Sequence, residues 1–239
     1  MTHYKLIRLS ATLLAAGNVA VTILTLYVHP SGGDTLAVTF GNAAASHAWT
    51  AIHLGQFASW TALLAGLIVL FVALGVTDSA ARWVGMFGAG SAGMALAMTA
   101  VLFAVDGVAN KRAVDAWTSA PPDMKATRFA TAEALRWLEI GVSSYLDLLL
   151  GAALILLAIT VVWTAPIPRP IGLLMGLSGV AFLALSWLVA TTGFTPATAV
   201  PSDIGFGGLL ILAVWLYLVA RRPAPEVAAA DLQLMTSRR

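Results

Sequence analysis

The chain has no cysteine. Disulfides, thiolate metal sites, cysteine nucleophiles and c-type haem attachment are therefore excluded. Charge is scarce as well. Only 10% of the 239 residues are Asp, Glu, Lys or Arg, against about 25% in soluble domains. No lysine falls inside a long apolar run, which excludes a retinal-type Schiff base. There is no Gly-x-Ser-x-Gly elbow and no His-Glu-x-x-His pair, the marks of a strand–helix hydrolase turn and of a zinc-protease helix. Gly85-Met86-Phe87-Gly88-Ala89-Gly90 is glycine-rich, but it lies inside an apolar run and lacks the strand–loop–helix setting of a phosphate cradle. No internal repeat stands out.

What is present is apolar. Hydrophobic residues make up 59% of the chain, and the mean hydropathy is +0.88. Such a chain is expected to be an integral membrane protein, all-α, a polytopic transmembrane helical bundle whose partner is the lipid bilayer. Six runs approach the ~20 residues that cross a ~30 Å hydrocarbon core: residues 9–28, 54–76, 84–105, 140–163, 171–190 and 204–220. Together they define a transmembrane domain over residues 1–222, followed by a mobile cytoplasmic tail, 223–239. The net charge of +2 rests on few residues, so no nucleic-acid patch is expected.

Lysine and arginine set the orientation. With the N-terminus inside, the inner segments hold eight: Lys5, Arg8, Arg82, Arg169, Arg221, Arg222, Arg238 and Arg239. The outer loops hold four, Lys111, Arg112, Lys125 and Arg128, and Arg136 lies at the outer entry of the fourth span. The positive-inside rule then places both termini in the cytoplasm of a cell membrane. In the outer loop, 107–138, Ala113, Val114 and Trp117 would form the apolar face of a short amphipathic helix lying on the membrane. Pro121-Pro122 breaks it, and Asp123 is the expected N-cap of a helix running unbroken to Thr164.

The polar residues are patterned. On the fourth span, Glu133, Arg136, Glu139, Ser143 and Asp147 fall within roughly 60° of one direction at 100° per residue. On the first, Asn18, Thr22, Thr25 and His29 share a face, and on the second so do Ser46, His53, Gln56 and Trp60. Lipid cannot solvate such stripes, so they should face one another around a cavity between these three spans. An aspartate within hydrocarbon costs on the order of 3 kcal/mol, which singles out Asp147. Asp147, Glu139, Arg136, Asn18 and Gln56 are the expected ligand- or proton-binding set; the alternative for Asp147 is a structural hydrogen bond to Asn18 or Gln56.

His29, His53, Asp106 and Glu139 sit at span ends of one common depth, with Thr191, Thr192 and Asp203 level with them. Two imidazoles and two carboxylates suit zinc or iron, and His29 with His53 are also candidate axial ligands of a haem. The same residues could equally cap spans at the interface. Three functions therefore stay open: an outward-facing polar pocket that binds or transports a small polar solute or ion, a membrane metalloenzyme, and a structural subunit of a membrane complex.

Val105-Asp106-Gly107-Val108-Ala109-Asn110-Lys111, after an apolar span and before Trp117, resembles uncharacterised bacterial multi-pass membrane proteins of unknown function. The resemblance implies a bacterial cell membrane and carries no site residues.

The lack of cysteine makes orientation testable without background. In intact cells, Ser119→Cys is expected to react with an impermeant maleimide and Ser237→Cys only after permeabilisation. Labelling of Ser237→Cys alone from outside would invert the topology.

Overall fold

The computed structural model describes residues 3–30, 32–164 and 167–221, and among these there is no strand. The tail read as residues 223–239 lies outside them. The helices are α1 (His3–Ile23), α2 (Leu36–Ala45), α3 (Trp49–Leu74), α4 (Ser79–Ala104), α5 (Lys111–Thr118), α6 (Lys125–Thr164), α7 (Arg169–Thr192) and α8 (Ala199–Ala220). Two π-helical segments, Leu24–Val28 and Val105–Asn110, continue α1 and link α4 to α5.

All six expected spans are present as helices long and apolar enough to cross a membrane. Most start several residues before the apolar run does, because a helix carries its polar first turn beyond the hydrocarbon edge. Local chemistry sets several ends. Asp78 caps α4 through Ala81 N, 2.8 Å, and Thr35 caps α2 through Val38 N, 3.3 Å. Gly75 ends α3 in the left-handed region at φ 57°, where only glycine is unstrained. A proline opens the first turn of α7, where its missing N–H costs nothing.

The six spans close into a ring. Around it the packing order is α1, α3, α4, α6, α7, α8 and back to α1. Apolar lipid provides no drive for apolar helices to associate, so close backbone approach must supply the adhesion. Gly151 of α6 and Gly179 of α7 show it reciprocally. A Cβ on Gly151 would lie 2.8 Å from the Gly179 carbonyl oxygen, and one on Gly179 would lie 2.9 Å from that of Gly151. In the glycine-rich stretch of α4, Gly85 and Gly88 sit against neighbouring helices and Gly90 faces open space; on α7, Gly172 also sits against a neighbour and Gly176 makes only an ordinary contact.

One half of the ring is solid. Leu14, Leu67, Leu154, Leu157, Leu212 and Leu216 are fully buried in a continuous core. At the other end the helices project. The 40 residues of α6 run about 60 Å at 1.5 Å each, twice a ~30 Å core.

Two expectations are corrected here, and one further helix is added. The amphipathic helix α5 does not lie on lipid. Its Val114 and Trp117 pack with Phe40 of α2 and with Ala132 and Phe129 of α6 in a second small core. The projecting half of α6 gives that apolar face a protein partner. Helix α2 occupies part of the connection between the first two spans, to which the sequence reading assigned no element. Finally, α6 begins at Lys125, two residues past Asp123, because a turn closed by Met124 N to the Pro121 carbonyl, 3.0 Å, occupies that position.

A Cβ on Gly17 would stand 2.5 Å from the Ser59 carbonyl and 2.6 Å from Leu63 N. Gly17→Ala must therefore separate α1 from α3, with an expected loss of about 1–3 kcal/mol, the range for overpacking. Gly93→Ala, with open space at the same test, should be neutral. Thermal unfolding in detergent compares the two.

Candidate functional site

Where the ring is not filled by leucine it holds a chamber of about 390 Å³ to which all six spans contribute. The sequence pointed to three spans. Leu185 of α7 and Asp203 of α8 also line the wall, because ring closure brings both helices round to face α3 and α4.

The site is best built outward from the π segment Val105–Asn110. A π turn breaks the regular i→i−4 bonding and re-aims the side chains that follow. It also leaves carbonyls for others. Trp49 Nε1 donates to the Asp106 carbonyl, 2.9 Å, and Thr50 Oγ1 to the Gly107 carbonyl, 3.1 Å. These bonds draw the first turn of α3 onto the π segment. Gly107 permits the approach, since a Cβ there would lie 2.6 Å from the His53 Cβ.

The result is a pairing of His53 with Asp106, Nε2 to Oδ2 at 2.8 Å, with both residues buried. The other ring nitrogen of His53 donates to the Trp49 carbonyl one turn back, 2.7 Å. A carbonyl can only accept, so Nδ1 carries its hydrogen and Nε2 is the nitrogen presented to the carboxylate. His29 repeats the arrangement. Its Nδ1 donates to the Pro30 carbonyl, 2.8 Å, and among the described residues its Nε2 has no hydrogen-bond partner. The two imidazoles meet edge to face at 5.1 Å, and the Trp49 indole lies 4.8 Å from one and 4.6 Å from the other. Burial holds the half-buried His29 below the usual histidine range, and the neighbouring His53 pushes the same way. His29 is therefore neutral at pH 7, with a lone pair to give.

His29, His53 and Asp106 each bring one ligating atom to within 4.8 Å of the others. Donors bound to zinc at about 2.0–2.2 Å stand roughly 3 Å apart around it, which is close to the separation already held between His53 and Asp106. Metal-bound histidines regularly donate the other N–H to a carbonyl or carboxylate, as both do here. Of the four residues read from the sequence as metal ligands, three converge. Glu139 does not join them directly. It is linked through Asn110, whose Nδ2 reaches Asp106 Oδ1 at 3.3 Å and Glu139 Oε2 at 3.4 Å. A bis-histidine haem does not fit, because the two rings touch and leave no planar slot between them.

Arg136 pairs with Glu139 at 2.5 Å and lies over the Phe194 ring at 4.8 Å. Glu133 takes no part. Asp147 lines the chamber, 8% exposed, and among the described residues nothing hydrogen-bonds its carboxyl. The partners expected for it are engaged elsewhere. Asn18 Nδ2 donates to the Phe206 carbonyl, 2.8 Å, and Asn18 sits behind the chamber wall. Gln56 Nε2 donates to Thr25 Oγ1, 3.0 Å. The side-chain oxygens of both amides are buried without a partner among the described residues. Thr191 and Thr192 bond back to their own helix, at the Trp187 and Leu188 carbonyls, and do not line the chamber.

Trp49 and Asn110 were missed in the sequence. Trp49 was visible as an indole four residues before His53, one helical turn away. Asn110 carried no signal until the π segment turned it inward. No family model, curated protein or solved structure matches the chain.

Replacing Arg136 alone would leave the buried Glu139 without its cation. Arg136→Met is expected to destabilise by about 3 kcal/mol, and the double variant Arg136→Met, Glu139→Leu by less. Thermal unfolding of the two variants measures the difference.

Proposed function

We propose that the chain is a multi-pass protein of the cell membrane that binds a divalent transition ion, zinc or iron, at the mouth of an outward-facing chamber. The observation that carries this reading is the convergence of His29, His53 and Asp106, with both Nδ1 atoms held by backbone carbonyls. In the metal-free protein a proton lies between His53 Nε2 and Asp106 Oδ2. An ion takes the place of that proton, so binding releases it. Outward orientation of the chamber rests on the lysine and arginine distribution.

Two histidines and one carboxylate leave coordination positions free, the arrangement of catalytic rather than structural metal sites. Those positions adjoin the chamber, which favours metal-assisted chemistry on a ligand held there, such as activation of a bound water. Transport of a solute through the ring has less support, since the leucine-packed half closes the chamber at its far end. A purely structural role would leave both the clustered ligands and the chamber without a use.

Metal analysis of the full chain, purified in detergent and loaded with Zn²⁺ or, without oxygen, Fe²⁺, is expected to give one ion per chain. His53→Ala and Asp106→Ala should lose it. Asn110→Leu should weaken binding by about 10–100-fold, the scale for residues that orient a ligand, and Asp147→Asn should retain the ion. Wild type holding no more metal than His53→Ala would overturn the reading.

A further inference from the structure

The metal cluster leaves the chamber's most costly group unused. Asp147 lies eight residues beyond Glu139 on α6, about 12 Å deeper at 1.5 Å per residue. It is buried, it lines the chamber, and among the described residues it has no hydrogen-bond partner. Without a partner, an ionised carboxylate away from water is among the most costly groups to bury, so a group of this kind calls for a positive counterpart.

The protein does not supply one. Arg136 is the sole lysine or arginine among the described lining residues, and it is already held by Glu139 and Phe194. Four carboxylates line the same space: Asp106, Glu139, Asp147 and Asp203. The chamber is therefore rich in carboxylates and, among the described lining residues, short of free cations.

Its size and walls narrow the counterpart further. About 390 Å³ falls within the usual range of small-molecule pockets, roughly 300–1,000 Å³, and far exceeds the ~30 Å³ share of one water. A bare ion would leave it empty. The wall includes Trp60 and Phe206, which meet edge to face at 5.7 Å, together with Phe103 and Leu146. Such a wall suits an apolar body, and aromatic faces also attract cations.

We infer that the chamber takes an organic ammonium ion with an apolar body, its N–H donors bonded to the Asp147 carboxylate and its body against Trp60 and Phe206. A carboxylate ligand of the same shape would set a second carboxylate against Asp147 with no cation free to separate them, and is rejected. A neutral alcohol would leave the Asp147 charge unmet and binds weakly. This site stands apart from the metal cluster and does not depend on it.

The test uses the full chain in lipid nanodiscs and three probes of matched shape: 3-phenylpropylamine, 3-phenylpropan-1-ol and 3-phenylpropionate. Calorimetry is expected to show saturable binding of the amine, with the alcohol and the acid weaker by roughly tenfold or more, the scale of one charge-assisted hydrogen bond. Asp147→Asn should bring the amine down to the level of the alcohol. His29→Ala and chelator treatment should leave amine binding in place. If the alcohol binds as tightly as the amine, if the amine does not bind, or if Asp147→Asn keeps full amine affinity, the inference is wrong. Loss of amine binding on chelation would make the nitrogen a metal ligand, overturning the Asp147 site and leaving the metal reading intact. Amine binding without any metal uptake would sink the metal reading alone. Should Asp147→Asn fail to fold, the ranking of the three probes on the wild type decides.

Discussion

Hydrocarbon offers no hydrogen bonds, so a polar group inside the spans has to find a partner within the ring or face the chamber. Several links between helices in this protein answer that demand. Ser10 bonds the Gly66 carbonyl across α1 and α3, 2.8 Å. Ser186 bonds the Ser144 carbonyl across α7 and α6, 2.7 Å. Asn18 bonds the Phe206 carbonyl across α1 and α8. Such bonds average about 0.6 kcal/mol each in a membrane protein, so their weight is in fixing rotation and register more than in stability. With rotation fixed, the polar stripes have one place to point, and the chamber follows.

The same constraint explains why irregular backbone is found where it is. Both π segments lie at the chamber end, one leading into His29 and the other carrying Asp106. A π turn frees carbonyls that must be satisfied, and here Trp49 and Thr50 satisfy two of them. The cost of the irregularity is thus met by the residues that also hold the two histidines in place. Packing, backbone geometry and site chemistry meet in the same few side chains.

Much of this could be read before any coordinates were known, and the divisions have physical causes. Six helices were legible because twenty apolar residues in a row have few other uses in a chain so poor in charge. His29, His53 and Asp106 were legible as a set because equal depth along antiparallel spans is a matter of counting. Glu139 was placed one step too close, because counting gives depth but not the rotation that puts Asn110 between it and Asp106. The structural alternative for Asp147, a bond to Asn18 or Gln56, is not found for a related reason. A shared helical face says which way Asn18 and Gln56 point, and it cannot say that Phe206 and Thr25 reach them first. Helix α2 was hidden by its small residues, whose helical signal depends on Thr35 capping and on the Phe40 contacts with Trp117 and Phe129.

In the ring order α1 neighbours α8, and Arg8 Nε reaches the Ala220 carbonyl at 3.0 Å, tying the start of the first span to the end of the last. The wall is therefore completed by two helices with the rest of the bundle between them in the chain. During synthesis α6 enters the bilayer, Asp147 included, while the place of α8 is still open to lipid. The chamber comes into being only when α8 arrives, so the aspartate that defines its floor passes through an interval of biogenesis in which neither the finished wall nor any chamber ligand shields it. Of the described spans, α8 is the one whose arrival closes the chamber wall.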